Sequence, residues 1–85
     1  MTIRFQVMEE GKVRRVRLEG RLSVEEIEEL EQLVGADPST AYLDLAELRS
    51  ADASGLALLR RLRREGFQMR DVPPHLAWRI EEDPP

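Results

Sequence analysis

The 85-residue chain contains no cysteine and only one histidine, His75. Without cysteine it cannot form a disulfide, bind zinc through thiolates or use a thiol nucleophile. A single histidine also excludes a metal or catalytic site that is built from several histidines. We therefore expect neither a metal site nor a bound cofactor. The absence of cysteine is compatible with the reducing cytoplasm, which is the location that we expect for the protein.

Long apolar runs and an excess of positive charge are also absent. No apolar stretch approaches the roughly 20 residues that a membrane-spanning helix needs. The N-terminal segment lacks the apolar core and the small-residue cleavage site of a signal peptide, so neither a transmembrane segment nor secretion is expected. The chain has 17 acidic and 13 basic residues and a formal net charge of -4. This charge argues against binding to nucleic acid.

The composition that remains is that of one small globular domain over residues 1–85. Hydrophobic residues make up 41% of the chain and charged residues 35%, a balance that is typical of a soluble folded protein. A chain of this length buries only about 60–65% of the surface of its unfolded form, so the core is expected to be thin. The acidic tail over residues 81–85 ends in two prolines and is expected to fray.

Periodicity predicts two strands and a helix in the first half of the chain. Residues 3–8 alternate between apolar and polar side chains, which indicates a strand with one wet face. A turn at residues 10–12 leads to a second strand over residues 13–18, and its broken alternation predicts a bulge or a late start of the strand. Ser23 and Glu26 have the spacing of a capping box that starts a helix. The apolar face of this helix is predicted to comprise Val24, Ile27, Leu30 and Leu33 or Val34.

The second half of the chain predicts a strand, a helix, a strand and a helix. Residues 41–45 are apolar except for Asp44, as in a central strand. A Leu-rich amphipathic helix follows over residues 53–64, then a short strand over residues 67–72 and a last helix that begins at Pro74. The order ββαβαβα predicts an α/β fold, a mixed four-stranded sheet with helices packed on it, because a strand–helix–strand crossover joins parallel strands.

The junction between the third strand and the second helix is the most informative segment of the chain. It reads Asp52-Ala53-Ser54-Gly55. The Ser54 hydroxyl is therefore offered at a helix N-terminus, where free N–H groups and the helix dipole favour negative charge. Gly55 has no side chain that would keep a partner away from Ser54. Because Asp, Ser and Gly are common at helix starts, an ordinary N-cap at Asp52 is the alternative interpretation.

This stretch resembles the STAS domain, the fold of bacterial anti-sigma-factor antagonists. The family pattern is a strand similar to residues 43–45, followed by Asp-Ser-Ser-Gly and a Leu-rich helix; here Ala53 replaces the first serine. Residues 18–23 also resemble the turn before the first helix of the family. The resemblance covers roughly residues 3–80 and implies the same mixed sheet. Many members add a further strand and a terminal helix that this chain lacks.

The resemblance implies phosphorylation of Ser54. In such antagonists a partner kinase, which is also the anti-sigma factor, modifies this serine, and only the unmodified protein binds the kinase and frees the sigma factor for transcription. Small STAS proteins also resemble the accessory subunit of bacterial phospholipid-transport ABC complexes, which contacts the ATPase through the same helix start. In both cases we expect a module that binds a protein partner and is not an enzyme. The expected contact residues are Arg49, Ser50, Asp52, Ala53, Ser54 and Gly55.

Several other residues leave two interpretations open. Asp44 is either a partner contact or, as we expect, a carboxylate that is hydrogen-bonded at a strand end. Trp78 is either an exposed anchor for another protein or, as we expect in so small a core, a packing residue. The arginines of residues 60–64 either bind acidic partners or lipid headgroups or form a solvated helix face that pairs with the acidic first helix. A nucleotide sensor is disfavoured because no phosphate-binding glycine loop is present.

Overall fold

Four strands form one sheet in the order β1-β2-β3-β4. The structure, a computed structural model, describes residues 3–81. The strands are β1 (Arg4–Glu10), β2 (Val13–Leu22), β3 (Ala41–Ala51) and β4 (Gln68–Arg70). The helices are a short 3-10 helix (Val24–Glu26), α1 (Ile27–Val34), α2 (Ala53–Arg64) and α3 (Pro74–Glu81). None of the helices within residues 3–81 is long and apolar enough to cross a membrane.

The strand directions confirm the predicted fold class. β1 runs antiparallel to β2 along its whole length, from the pair Arg4–Glu19 to the pair Glu10–Val13. β3 lies parallel to β2, and β4 lies parallel to β3. The chain is therefore an α/β protein with a mixed four-stranded sheet and helices packed on it, in the order that the sequence predicts.

One apolar core lies between the sheet and the three helices. Leu43 and Leu45 of β3 are fully buried, and so are Val16 and Leu18 of β2. These side chains alternate with polar ones, as expected for a strand that is covered on one face. The helices contribute Leu30, Val34, Leu56, Leu58, Leu59, Leu62, Leu76 and Ile80 to the same cluster. The face of the sheet that these helices cover is thus continuous from β2 to β4.

The opposite face of the sheet carries ion pairs instead of a second layer. Asp44 is only 7% exposed, and its carboxylate accepts the backbone N–H of Ala46 at 3.0 Å and lies 3.0 Å from the Arg15 guanidinium. Arg15 also reaches Glu10 at 3.4 Å. Asp44 is therefore hydrogen-bonded within the protein, as we expected, but it lies inside β3 and not at a strand end. Pairs of opposite charge across neighbouring strands each stabilise a sheet by about 0.2–1 kcal/mol.

Tyr42 of β3 lies on the same polar face and contacts residues of β1 and β4. Its hydroxyl donates to the Glu10 carboxylate at 2.7 Å, and the Arg70 guanidinium lies 4.1 Å from the centre of its ring. The hydrogen bond from Tyr42 lowers the pKa of Glu10 and raises the pKa of the Tyr42 phenol. A cation above an aromatic face is favourable at this distance. All four strands thus take part in contacts on this face.

β2 and β3 are longer than the sequence pattern predicts. β3 continues to Ala51, where the pattern predicts a turn after Leu45, and residues 18–22 form the end of β2 and not a turn before the first helix. The pairing of β2 with β3 shifts register after Arg17 and again after Gly20. Gly20 has a φ of +104°, a value that glycine adopts without strain. These shifts break the period of two, so the strand ends look like loops in the sequence.

The predicted bulge or late start of β2 is wrong. β2 starts at Val13 and pairs regularly with β1 from there onward, and the irregular pairs lie further along, on the side that faces β3. Val13 is half-buried and pairs with Glu10 directly beside the hairpin turn. Val13 and Val16 lie on opposite faces of β2, and the helices cover only the face that carries Val16. The alternation in the sequence is therefore broken although the strand contains no extra residue at this point.

The first helix begins with a 3-10 turn that the heptad-like spacing does not predict. The backbone N–H and the hydroxyl of Ser23 both donate to the Glu26 carboxylate, at 3.2 and 2.7 Å, so the predicted capping box forms. It opens the 3-10 helix, and α1 starts only at Ile27. The prediction that Val24 lies on the buried face is wrong, since its side chain is 61% exposed. Val24 is the first residue of the 3-10 helix, and this segment lies before the buried side chains Leu30 and Val34 of α1.

α3 begins at Pro74 and buries Leu76 and Ile80, as predicted. The prediction that Trp78 packs is wrong, because this side chain is 62% exposed. Two residues after Leu76, it lies about 200° around the helix and thus on the opposite side. β4 is shorter than the predicted strand. Glu81 belongs to α3, and the rest of the predicted frayed tail lies outside the described residues.

Replacing Asp44 by alanine is expected to lower the free energy of unfolding by about 1–3 kcal/mol, because the Ala46 amide and the Arg15 guanidinium lose their acceptor. The matched control is Glu47→Ala, which removes a 56% exposed partner of Arg17 and is expected to cost less than about 0.5 kcal/mol. Urea unfolding followed by circular dichroism measures both. Equal losses of unfolding free energy in the two variants would contradict the prediction that the buried Asp44 stabilises the fold more than the exposed Glu47.

Candidate functional site

The end of β3 and the first turn of α2 form the candidate site. Asp52 has extended backbone angles and is the N-cap of α2. Its Oδ1 atom accepts the backbone N–H of Gly55 at 2.8 Å. This is the side-chain cap that Asp provides at helix starts, because the first amides of a helix have no carbonyl partner within it. The capping role that we considered for Asp52 is therefore confirmed.

Asp52 also joins two separate helix starts, which the sequence analysis missed. Its Oδ2 atom accepts the backbone N–H of Val24 at 3.1 Å, and its own N–H donates to the Leu22 carbonyl oxygen at 3.0 Å. One carboxylate thus bonds the first residue of the 3-10 helix and the first turn of α2. The sequence indicates this contact only indirectly. Because β2 and β3 are parallel neighbours, the segments that follow them begin at the same edge of the sheet.

These contacts keep the Asp52 carboxylate ionised. The hydrogen bond from the Gly55 amide is the largest influence and lowers the pKa of Asp52, with further lowering by the Val24 amide and by the positive charge of Arg21; partial burial acts in the opposite direction. The nearby Ser54 amide lowers this pKa further. A full negative charge is therefore present at the turn that carries the Ser54 hydroxyl.

The structure exposes most of the predicted contact residues. Ala53 and Ser54 are exposed in the first turn of α2, and Asp52 beside them is half-buried. Arg49 and Ser50 are exposed near the end of β3. Consecutive strand residues point to opposite faces of a sheet, so these two side chains do not extend one common surface.

Arg49 and Ser50 have different neighbours. Ser50 pairs with Arg21 of β2, whereas the Arg49 carbonyl oxygen lies 2.7 Å from Nε2 of His75, at the start of α3. The histidine therefore contacts the backbone of β3 and lies close to no second histidine or cysteine, since the chain has none. Within residues 3–81, no group of three or more histidine or acidic side chains is placed to hold a metal ion.

Gly55 serves the packing of the protein itself. It is buried, unlike the neighbouring Ser54. A Cβ atom at this position would lie 2.8 Å from the Leu22 carbonyl oxygen and 3.3 Å from the Cβ of Ala51. The glycine is thus required by the close approach of α2 to the end of β2. We expected it to leave Ser54 open to a partner, but its missing side chain points toward the strand.

An open groove of about 500 Å³ lies beside Ser54, between the first helical segment and α2. It is lined by Val24, Ile27, Ser54, Ala57, Leu58, Arg61 and Arg64. Ser54, Ala57 and Arg61 follow one another at helical spacing and so share one side of α2. The sequence analysis missed this groove because it placed Val24 in the core. The hydroxyl therefore borders an exposed apolar surface that a partner can contact.

The arginines of residues 60–64 do not form one free cationic patch. The Nε atom of Arg60 donates to the Arg79 carbonyl oxygen of α3 at 2.7 Å. Arg61 forms ion pairs with Glu31 of α1 and with Glu65. The predicted pairing of this cluster with the acidic first helix is thus confirmed for Arg61. These contacts fix the far end of the groove and leave less positive charge for an acidic partner.

No known family model matches the chain, and no curated protein matches it in sequence.

Replacing Asp52 by alanine is expected to lower the melting temperature by several degrees at neutral pH, because two amides lose their acceptor. The folded-state pKa of Asp52 lies below its unfolded value, so its stabilising effect is present above the unfolded pKa and is lost as the pH falls through the folded one. The difference in melting temperature between Asp52→Ala and the native chain should therefore shrink below about pH 4.

The matched variant for this experiment is Asp52→Asn, which keeps one acceptor oxygen but carries no charge. It should lose less stability than the alanine variant at neutral pH. Thermal unfolding followed by circular dichroism over a pH series measures all three proteins. A gap between the native chain and Asp52→Ala that grows as the pH falls would contradict the assignment.

Replacing Gly55 by alanine is expected to destabilise the fold by about 1–3 kcal/mol, because the added methyl group meets a backbone carbonyl oxygen that cannot move freely. This loss outweighs the better helix propensity of alanine, about 1 kcal/mol. Ser54→Ala, one residue away but exposed, is the control and should change stability by less than about 0.5 kcal/mol. Urea unfolding of both variants measures the difference. A Gly55→Ala variant with an unchanged free energy of unfolding would contradict the close approach of α2 to the end of β2.

Proposed function

We propose that the chain is a protein–protein interaction module whose binding is switched off by phosphorylation of Ser54, as in STAS-type anti-sigma-factor antagonists. The observation that carries this proposal is the exposed Ser54 hydroxyl in the first turn of α2, beside the groove that Val24 and Ala57 help to line. A kinase needs an accessible hydroxyl, and a protein partner needs accessible apolar surface. Both lie here side by side.

The resemblance to STAS domains supports the same proposal. The Asp52-Ala53-Ser54-Gly55 turn follows a strand with parallel neighbours and opens the Leu-rich helix α2, which is the arrangement that the family pattern implies. Ala53 remains a departure from that pattern, in a residue that is exposed and adjacent to the hydroxyl. A partner kinase that uses ATP is consistent with the cytoplasmic location that the composition favours.

The neighbouring charge explains how a phosphate would act. A phosphoserine carries about -1.5 to -2 charges at pH 7, and at Ser54 it would lie close to the ionised Asp52. The amides of Gly55 and Val24 already donate to this carboxylate, so fewer donors are left to compensate a second anion. An interface that fits a neutral hydroxyl would have to desolvate this charge. The dipole of α2 partly offsets it in the free protein.

The expected result of phosphorylation is therefore weaker association with a fold that stays intact. A partner should protect Ser54 and the groove together, because they form one surface. The kinase and the bound partner are then the same macromolecule or parts of one complex, as the resemblance implies.

A binding comparison of Ser54→Asp with Ser54→Ala tests the proposal. With the partner isolated by affinity purification from a bacterial host, Ser54→Asp is expected to weaken binding by tenfold or more, about 1.4 kcal/mol, and Ser54→Ala to bind like the native chain. Gln32→Glu, at an exposed position of α1, adds a negative charge elsewhere and should bind normally. Incubation with the partner and ATP should add one phosphate, located at Ser54 by peptide mass spectrometry.

Two outcomes would count against the proposal. Native-like binding by Ser54→Asp would show that charge at this turn is tolerated, and a phosphate on another residue would remove the switch from α2. Recovery of an ABC ATPase as the partner, with Ser54 unmodified, would instead favour the alternative function as an accessory subunit of a phospholipid-transport complex.

A further inference from the structure

β1 is the longer of the two free edges of the sheet. It holds seven residues, against three in β4 at the other edge. Within residues 3–81 no strand lies on the outer side of β1. Two large apolar side chains at its centre, Val7 and Met8, are 44% and 54% exposed. An edge of this length with exposed apolar side chains can pair with another strand.

The helices do not reach far enough to cover this edge. Val7 lies directly opposite Val16 of β2 on the same face of the sheet, yet Val16 is fully buried and Val7 is nearly half exposed. The apolar core thus ends between these two strands. A further strand placed beside β1 would remove Val7 from water, which is favourable by roughly 25 cal/mol for each Å² of apolar surface.

The sequence of β1 is complementary to itself when it is read in the opposite direction. In an antiparallel pair of two β1 strands centred on Val7, Val7 lies opposite its own copy, Gln6 lies opposite Met8 and Phe5 lies opposite Glu9. The positively charged Arg4 then lies opposite the negatively charged Glu10, twice by symmetry. Both are even-numbered positions, which lie on the uncovered face of the sheet, so the two side chains meet on the same side.

Other registers lack this match. A shift of one residue would place the core face of one copy against the polar face of the other. A shift that centres the pair on Gln6 places Arg4 opposite Met8, and one centred on Met8 places Gln6 opposite Glu10. Only the pairing centred on Val7 uses the whole strand and puts opposite charges together. The charges of Arg4 and Glu10 thus favour the register centred on Val7, because they lie opposite each other there and opposite uncharged side chains in the registers centred on Gln6 or Met8.

We propose that two copies of this chain associate through β1, antiparallel and centred on Val7, and form a continuous eight-stranded sheet. The arrangement is a two-fold dimer in which the same edge serves both copies. Glu10 retains capacity for Arg4 of the second copy, because a carboxylate can accept about four hydrogen bonds and here it accepts from Tyr42 and Arg15. The contact is one strand long, so the dimer should be weak and concentration-dependent.

Cysteine cross-linking tests this register directly, since the native chain has no cysteine. Gln6→Cys and Met8→Cys are made as separate proteins, at exposed positions. In the proposed dimer, residue 6 of one copy faces residue 8 of the other at about 4.5–5.5 Å between Cα atoms. Two copies of residue 6, or of residue 8, are displaced along the strands to roughly 8 Å, which is beyond the reach of a disulfide.

Mild oxidation of an equal mixture of the two variants should therefore give mainly the mixed disulfide, identified by intact mass, well above the one half that random pairing yields. Val7→Lys in both variants puts two positive charges at the two-fold axis and should remove this preference. Sedimentation of the native chain should show mass that rises with concentration, and Val7→Lys should stay monomeric while its circular dichroism remains native-like.

Random disulfide ratios, or equal association of the native chain and Val7→Lys, would overturn the proposal. A preference for disulfides between identical positions would also overturn it, because it would require another register. Partner binding at Ser54 is a separate matter: no residue of β1 belongs to that surface, so either proposal can fail while the other holds.

Discussion

The Asp52 carboxylate is the contact on which the candidate site depends. Its two oxygens bond the amides of Gly55 and Val24, which begin different helical segments. The Asp52 N–H also bonds the Leu22 carbonyl oxygen, so the turn is tied to the end of β2 as well. Because β2 and β3 are parallel neighbours, Val24 and Ser54 lie near the same edge of the sheet and line one groove. A single ionised side chain thus caps α2 and also bonds the turn that carries Val24.

The sheet shows how a small chain can remain folded with helices on only one side. On the covered face, apolar contacts stabilise the strands. On the open face, the buried Asp44 pairs with the partly exposed Arg15, and Tyr42 joins β1, β3 and β4 through Glu10 and Arg70. These polar contacts stabilise the open face without a second layer. The helices do not extend over the whole of β1, so its apolar side chains Val7 and Met8 remain exposed.

The sequence predicts the elements of this fold well because each follows from a local period. The fold class, α2, and the buried positions of α3 all depend on spacing within a few residues. The errors arise where a local rule is interrupted: register shifts hide the ends of β2 and β3, and Val24 lies in a 3-10 turn that precedes the buried face of α1. The contact between Asp52 and Val24 spans 28 residues, and no local pattern contains it. The exposed Trp78 was misjudged from core size, although its spacing from Leu76 already placed it outward.

The position of Asp52 limits how a phosphate at Ser54 could act. Helix starts bind anions through their free amides, but the Gly55 amide is already bonded to the carboxylate. A phosphate cannot take this donor without breaking the cap that holds the two helical segments together. It would therefore stay on the outer side of the turn, where it changes the charge seen by a partner and not the packing of Gly55 against Leu22. The proposed switch would then be electrostatic, because the carboxylate that stabilises the turn would repel a second negative charge beside it.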